Sequence, residues 1–165
     1  MQFNDDQDYW TTCKANMKGI IIQTRSGLRM TMIDHLFPPA IFDHDIDNET
    51  LGKAVIQALS NSRTFIYGSP ECKDFFDEEK SQQRYDAWVA GLCEKLGYKT
   101  KRALFKKMKS CSIWLNNGRI KMSPSRQVRL EAWDGINGVE DVVLSLDNSP
   151  EEIGAGLRLA LSRCL

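Results

Sequence analysis

The sequence predicts an α+β chain: a mostly antiparallel sheet built from hairpins, with helices packed on it and a helix at the C-terminus. Three observations carry that reading. Short apolar runs flank tight-turn dipeptides, above all Asn117-Gly118 between Cys111–Leu115 and Arg119–Ser123. Asn-Gly suits the positive backbone dihedrals of a type I′ hairpin turn. Amphipathic helix patterns follow strand-rich sequence in both halves of the chain. Finally, Asp47–Ser62 lies over Ser149–Cys164 without a gap at an offset of 102. The shared positions include Leu51/Ile153, Gly52/Gly154, Val55/Leu157, Ala58/Ala160 and Leu59/Leu161.

In chain order, residues 1–16 read as a ragged or helical lead-in anchored by Tyr9 and Trp10. Lys18–Ile33 reads as a hairpin turning at Arg25-Ser-Gly27, because Ser-Gly marks a turn and Leu28, Met30 and Met32 alternate with polar residues. Phe37–Ile46 reads as a loop, since paired prolines exclude a regular central strand. A helix follows over about 48–61, with Asp47 as its cap. Phe65-Ile-Tyr67 suggests a short strand before the Gly68-Ser-Pro70 turn. Residues 75–96 suit one longer helix, with Tyr85, Trp88, Val89, Leu92 and Leu96 on one face and Gly97 as its stop. Thr100–Met108 suits a short helix with Ala103, Leu104 and Phe105 inward. After the Asn-Gly hairpin, Val128–Trp133 and Asp141–Leu146 read as strands. The last helix starts at a capping box, Ser149-Pro-Glu-Glu152. No linker or composition break interrupts the chain, so residues 1–165 read as a single domain.

At 165 residues, 42% apolar and 27% charged, the composition is that of a globular protein able to bury a full core. The 22 basic and 22 acidic residues cancel, which argues against a surface given over wholly to nucleic acid. No apolar window is long enough for a membrane span, and the acidic start Met1–Asp8 is unlike a signal peptide. Five cysteines, odd in number and never in a C-x-x-C pair, read as reduced thiols of a cytoplasmic protein.

Catalytic patterns are missing. There is no G-x-S-x-G elbow, Walker loop, G-x-G-x-x-G or H-E-x-x-H, and the two histidines, His35 and His44, stand alone. His44 lies in the acid-rich Asp43–Glu49, but helix capping in a solvated loop explains that cluster without a metal. A thiol or metal enzyme around Cys13, Cys72 or His44 is the third-ranked reading. The chain is expected to be no enzyme, with no cofactor and no metal.

Two charge features remain. Lys99–Lys109 holds six cations (Lys99, Lys101, Arg102, Lys106, Lys107, Lys109) and no acid, so the alternative function is a nucleic-acid-binding module using that segment. Against it stand two acidic clusters, Asp43 and Asp45, and Asp74, Asp77, Glu78 and Glu79. Such clusters suit a basic protein partner, with Phe76 as an apolar anchor.

Several stretches resemble immunity proteins of contact-dependent growth inhibition (CDI) systems, the CdiI family. They are Leu-Gly-x-Ala-x-x-x-Ala-Leu-x-x-Ser-Arg at 51–63, Trp88 through Gly97-Tyr-Lys99, Leu104-Phe-x-x-Met-Lys-x-Cys111, and Ser149-Pro-x-x-Ile-Gly-x-x-Leu-x-x-Ala-Leu161. The likeness spans about residues 18–165. It implies a cytoplasmic bacterial antidote that binds and neutralises the C-terminal toxin domain of a large secreted CdiA-type effector, protecting the producing cell. It further implies that the toxin is a basic nuclease, commonly an RNase that cleaves tRNA, and that the antidote itself touches neither membrane nor nucleic acid. The resemblance supplies no transferable binding residues. Asp43, Asp45, Asp74, Phe76, Asp77, Glu78 and Glu79 are therefore the toxin-binding candidates on physical grounds alone.

Overall fold

The computed structural model describes residues 1–165. The chain runs β1 (Tyr9–Asn16), β2 (Gly19–Gly27), β3 (Thr31–Ile33), β4 (Ala40–Phe42), α1 (Asn48–Asn61), α2 (Pro70–Phe75), α3 (Glu78–Leu96), α4 (Lys101–Phe105), β5 (Lys109–Asn116), β6 (Arg119–Arg129), β7 (Ala132–Gly135), β8 (Val142–Ser145) and α5 (Pro150–Ser162). The eight strands form one antiparallel sheet in the order β3-β2-β1-β5-β6-β7, with β4 on β2 and β8 on β6.

The sheet is an internal duplication. Asn16 pairs with Gly19 around the first hairpin turn, and Asn116 with Arg119 around the second, an offset of 100 residues. Ile20 pairs with Phe42, and Ile120 with Leu144, so β4 and β8 stand 102 apart. The change of two arises in the hairpin arm between them. Gly27 pairs with Thr31 across the β2–β3 turn, whereas Gln127 pairs with Trp133 across a longer, bulged β6–β7 turn. Each half is therefore four strands and a helix, residues 9–61 and 109–162, with α2–α4 inserted between them. The halves meet at β1–β5, where Cys13 faces Cys111.

α1 and α5 lie on one face. Leu51, Val55 and Leu59 of α1, with Ile153, Leu157 and Ala160 of α5, cover Cys13, Ile20, Ile22, Ile113, Leu115, Ile120 and Met122 of the sheet. The repeated glycines explain themselves here. A Cβ on Gly52 would overlap the carbonyl oxygen of Pro150, and one on Gly154 that of Asn48. Each glycine thus lets its helix sit on the first turn of the other. On the opposite face α3, α4 and the turn after it cover Ile21 with Val89, Leu92, Leu104, Phe105 and Met108. Ile20-Ile21-Ile22 is buried throughout because both faces of β2 are covered there.

Several expectations are corrected. Tyr9–Asn16 is a central strand, not a lead-in. Its threonines suit a pleated strand, and its one basic side chain, Lys14, is buried with Nζ 3.5 Å from the Trp133 ring centroid and 3.0 Å from Ser110 Oγ. Burial, then the nearby Arg25, pulls the Lys14 ammonium down to about 7. The turn read at Arg25–Gly27 moves to Leu28–Met30, because β2 runs on through Gly27. The Phe37–Ile46 loop holds the three-residue edge strand β4. Residues 64–67 form only an isolated bridge, Thr64 to Gly27. The helix expected over 75–96 is α3, one helix that starts at Glu78 because Asp77 caps it, and a separate short helix, α2, precedes it. Val128–Trp133 contains the β6–β7 turn, and Ala103 faces out while Leu104 and Phe105 face in. The Asn117-Gly118 turn has positive φ at both residues, the α3 stop at Gly97 is left-handed, and the Ser149–Glu152 capping box closes, all as expected. No helix is long and apolar enough to cross a membrane.

Candidate functional site

A cleft of about 770 Å³ opens between the β2–β3 arm and the inserted α2–α3 pair. Gln23 and Arg25 of β2 form its floor. Met30, Met32 and the segment Asp34–Pro39 form one wall, and Phe75, Phe76, Glu78, Tyr85 and Trp88 the other. The Gln23 amide joins the walls. It donates to the Phe37 carbonyl at 3.0 Å and accepts from Trp88 Nε1 at 3.0 Å. Arg25 Nε donates to Thr31 Oγ1 at 3.1 Å, which fixes the arm.

Beneath that wall sits a buried ionic knot. Asp34 accepts from Arg63 Nε at 2.7 Å, from Arg63 Nη2 at 2.8 Å, from the Ser26 hydroxyl at 2.6 Å and from Leu36 N–H at 3.1 Å. Burial alone would push the Asp34 carboxyl up, but these donors outweigh it and hold it below the usual carboxylate range. A carboxylate with every oxygen so occupied is a structural anchor, not a free base. His35 beside it is shifted down by burial and by Arg84, which keeps the imidazole neutral at pH 7. Cys13 and Cys111 are buried and their thiols pushed up by desolvation, unlike activated nucleophiles. No three His, Cys, Asp or Glu side chains converge as a ligand set. What the cleft offers is shape and apolar area with a few polar groups, which suits binding.

The candidate residues fall into different places. Phe76 lines the cleft and meets Phe75 edge-on, and Glu78 stands on the rim. Glu79 is exposed in the first turn of α3, and Asp77 caps that helix by accepting from Lys80 N–H at 2.9 Å. Asp74 is held by Lys80 at 2.5 Å and Arg84 at 2.9 Å, which draw its carboxyl down to about 2. Asp43 and Asp45 are not brought to the cleft. Their loop follows Phe42 of β4, which pairs with Ile20, whereas the cleft's lining on β2 starts at Gln23, about 10 Å along the strand, and none of residues 40–46 lines it. Arg158 of α5 donates to the carbonyls of His44 and Ile46, so that loop is a junction between the two repeat helices. In the basic segment, Arg102, Lys106 and Lys107 line a second, smaller concavity, Lys101 pairs with Glu131 at 3.1 Å, and Lys99 and Lys109 lie outside it.

Residue-by-residue reading missed Arg25, Met30, Met32, Phe37, Tyr85 and Trp88 as cleft lining. Only the alternation of Met30 and Met32 with polar residues hinted that one face of that arm stays uncovered. It also missed Ile66 and Tyr67, 79% and 90% exposed where a short strand was expected. They follow Phe65, which packs on Phe75 at the end of the cleft's aromatic wall.

A family model described as CDI immunity protein matches residues 9–164. The chain is 45% identical to Immunity protein CdiI-YPIII of Yersinia pseudotuberculosis serotype O:3 over 94% of each sequence. Among solved structures, it superposes on a protein of unknown function from Neisseria meningitidis with a TM-score of 0.97 and 65% identity, covering all of both chains. It superposes with a TM-score of 0.86 and 44% identity on a chain of the CdiA-CT/CdiI toxin and immunity complex from Yersinia pseudotuberculosis, covering 96% of this chain and 98% of that one.

Proposed function

The chain belongs to the CDI immunity protein family, and on that premise we propose that it binds and neutralises the C-terminal toxin domain of a CdiA-type effector at the cleft between the β2–β3 arm and α2–α3. The observation that carries the site is the apolar cleft itself. Methionine and aromatic walls flank an arginine floor, and no catalytic constellation lies within them. The similar Yersinia chain was solved in a toxin and immunity complex, which supports a protein partner. The finer reading is a basic nuclease toxin, RNA-cleaving, met by the acidic rim Glu78 and Glu79. In it the antidote performs no chemistry and works in the cytoplasm of the cell it protects. Asp74 and Asp77 contribute less, because each already serves a contact within the fold.

The test is co-expression with the cognate toxin domain, alongside binding measured by surface plasmon resonance. Met30→Asp places a charge on a cleft wall where Met30 is 67% exposed, so folding is spared. It is expected to weaken the complex by about 2 kcal/mol, roughly 30-fold, and to abolish protection. Glu78→Lys with Glu79→Lys should chiefly slow association at low salt. Unchanged affinity in Met30→Asp at an unchanged melting temperature would move the interface away from this cleft.

A further inference from the structure

The insertion between the two halves walls a second cleft on its other side, of opposite chemistry. Its lining comes from two places far apart in sequence: Arg102, Lys106 and Lys107 in and after α4, and Arg129 at the tip of the β6–β7 arm. No acid lines this cleft, and none of its four cations enters a salt bridge, the one pair of the basic segment being Lys101 with Glu131. Four unpaired cations on one concave surface repel one another, and a folded chain normally interleaves acids to avoid that.

The backbone sharpens the point. Lys107 has φ of 52°, a left-handed conformation in which glycine or asparagine would cost less. The turn that presents Lys106 and Lys107 side by side therefore carries a lysine where local conformational preference favours neither charge nor length. Val128 and Leu130 supply small apolar patches, and no aromatic side chain lines the cleft to stack on a base. Clustered cations without a stacking platform fit a phosphate backbone and not single-stranded bases.

We propose that the cleft between α4 and the β6–β7 turn is a second binding face, which takes the phosphodiester backbone of duplex nucleic acid without reading its sequence. The face is separate from the toxin cleft and does not rest on the toxin reading.

The test uses the full chain and fluorescein-labelled 20-bp DNA and RNA duplexes of one sequence, followed by anisotropy between 50 and 200 mM NaCl. Four phosphate contacts predict affinity falling by about 100-fold across that range. Lys106→Ala with Lys107→Ala and Arg129→Ala should lower the slope of log affinity against log salt by nearly three. Ala103→Glu is the second variant. It places an anion in the cleft and completes a capping box on α4, whose cap Thr100 already accepts from Ala103 N–H at 3.1 Å, so the fold is kept. Salt-dependent binding of either duplex that weakens in both variants supports the proposal. No binding at 50 mM NaCl, binding that neither variant changes, or equal competition by poly-glutamate overturns it.

Discussion

Asp34 shows how a single residue can be read wrongly from its type. An aspartate beside a histidine in a cleft resembles an acid–base pair, yet its oxygens are saturated by Arg63, Ser26 and Leu36, and its side chain is wholly buried. Its role is to tie the wall of the cleft between the β2–β3 arm and α2–α3 to the segment after α1. Asp34→Ala strands a guanidinium that is only 31% exposed and is expected to cost about 2–3 kcal/mol at pH 7, discounted for that exposure. The sign with pH follows from a carboxyl held below its unfolded value near 3.9. The stabilisation is complete above about pH 4 and disappears as pH falls through the lower folded value. Urea unfolding should therefore show a gap between wild type and Asp34→Ala that is constant from pH 5 to 7 and narrows below 4. A gap that persists at pH 2 would assign the loss to packing.

At the scale of elements, the two repeat helices matter most, because they roof the core together. Their glycines are reciprocal: Gly52 sits on Pro150 and Gly154 on Asn48, the two glycines and the two residues they meet each standing 102 apart. Gly52→Ala would gain helix propensity in isolation, but its methyl meets backbone, which cannot rotate away as a side chain can. The variant is expected to lose about 2–3 kcal/mol by chemical denaturation. Gly91→Ala, on α3 with open space around it, should be neutral or slightly stabilising and serves as the control. These helices were legible in the sequence because caps, apolar spacing and a tight glycine are all written locally. The strand duplication was not. Ile21 and Lys121 are equivalent positions, but α3 and α4 cover the first and leave the second partly in water, so one strand reads as a continuous apolar run and the other as an alternation. β1 was missed for a related reason: after Tyr9 its inward residues are threonine, cysteine and alanine, which carry only a faint apolar period.

Across the whole molecule, neither half closes its own core. Cys13, Ile113 and Leu115 from both sides of β1–β5 sit under helices of both halves, so the core is one body. Urea unfolding followed by tryptophan fluorescence and by far-UV circular dichroism should give coincident single transitions. Two separated transitions would mean that the halves are independent units. By itself the sequence determined the fold class, the helix caps, the Asn-Gly hairpin, the family and the two blocks of opposite charge, because each of these is set by neighbours in the chain or by a pattern of short period. Only the tertiary structure decided where those charges point. Pairing across β2 and β6 sent Asp43 and Asp45 to a helix junction and brought Arg129 against Lys106 and Lys107, while the α2–α3 turn folded Asp74 onto Lys80 and Arg84. Side chains far apart in sequence meet through strand register and the path of the inserted helices, and no local pattern encodes that meeting.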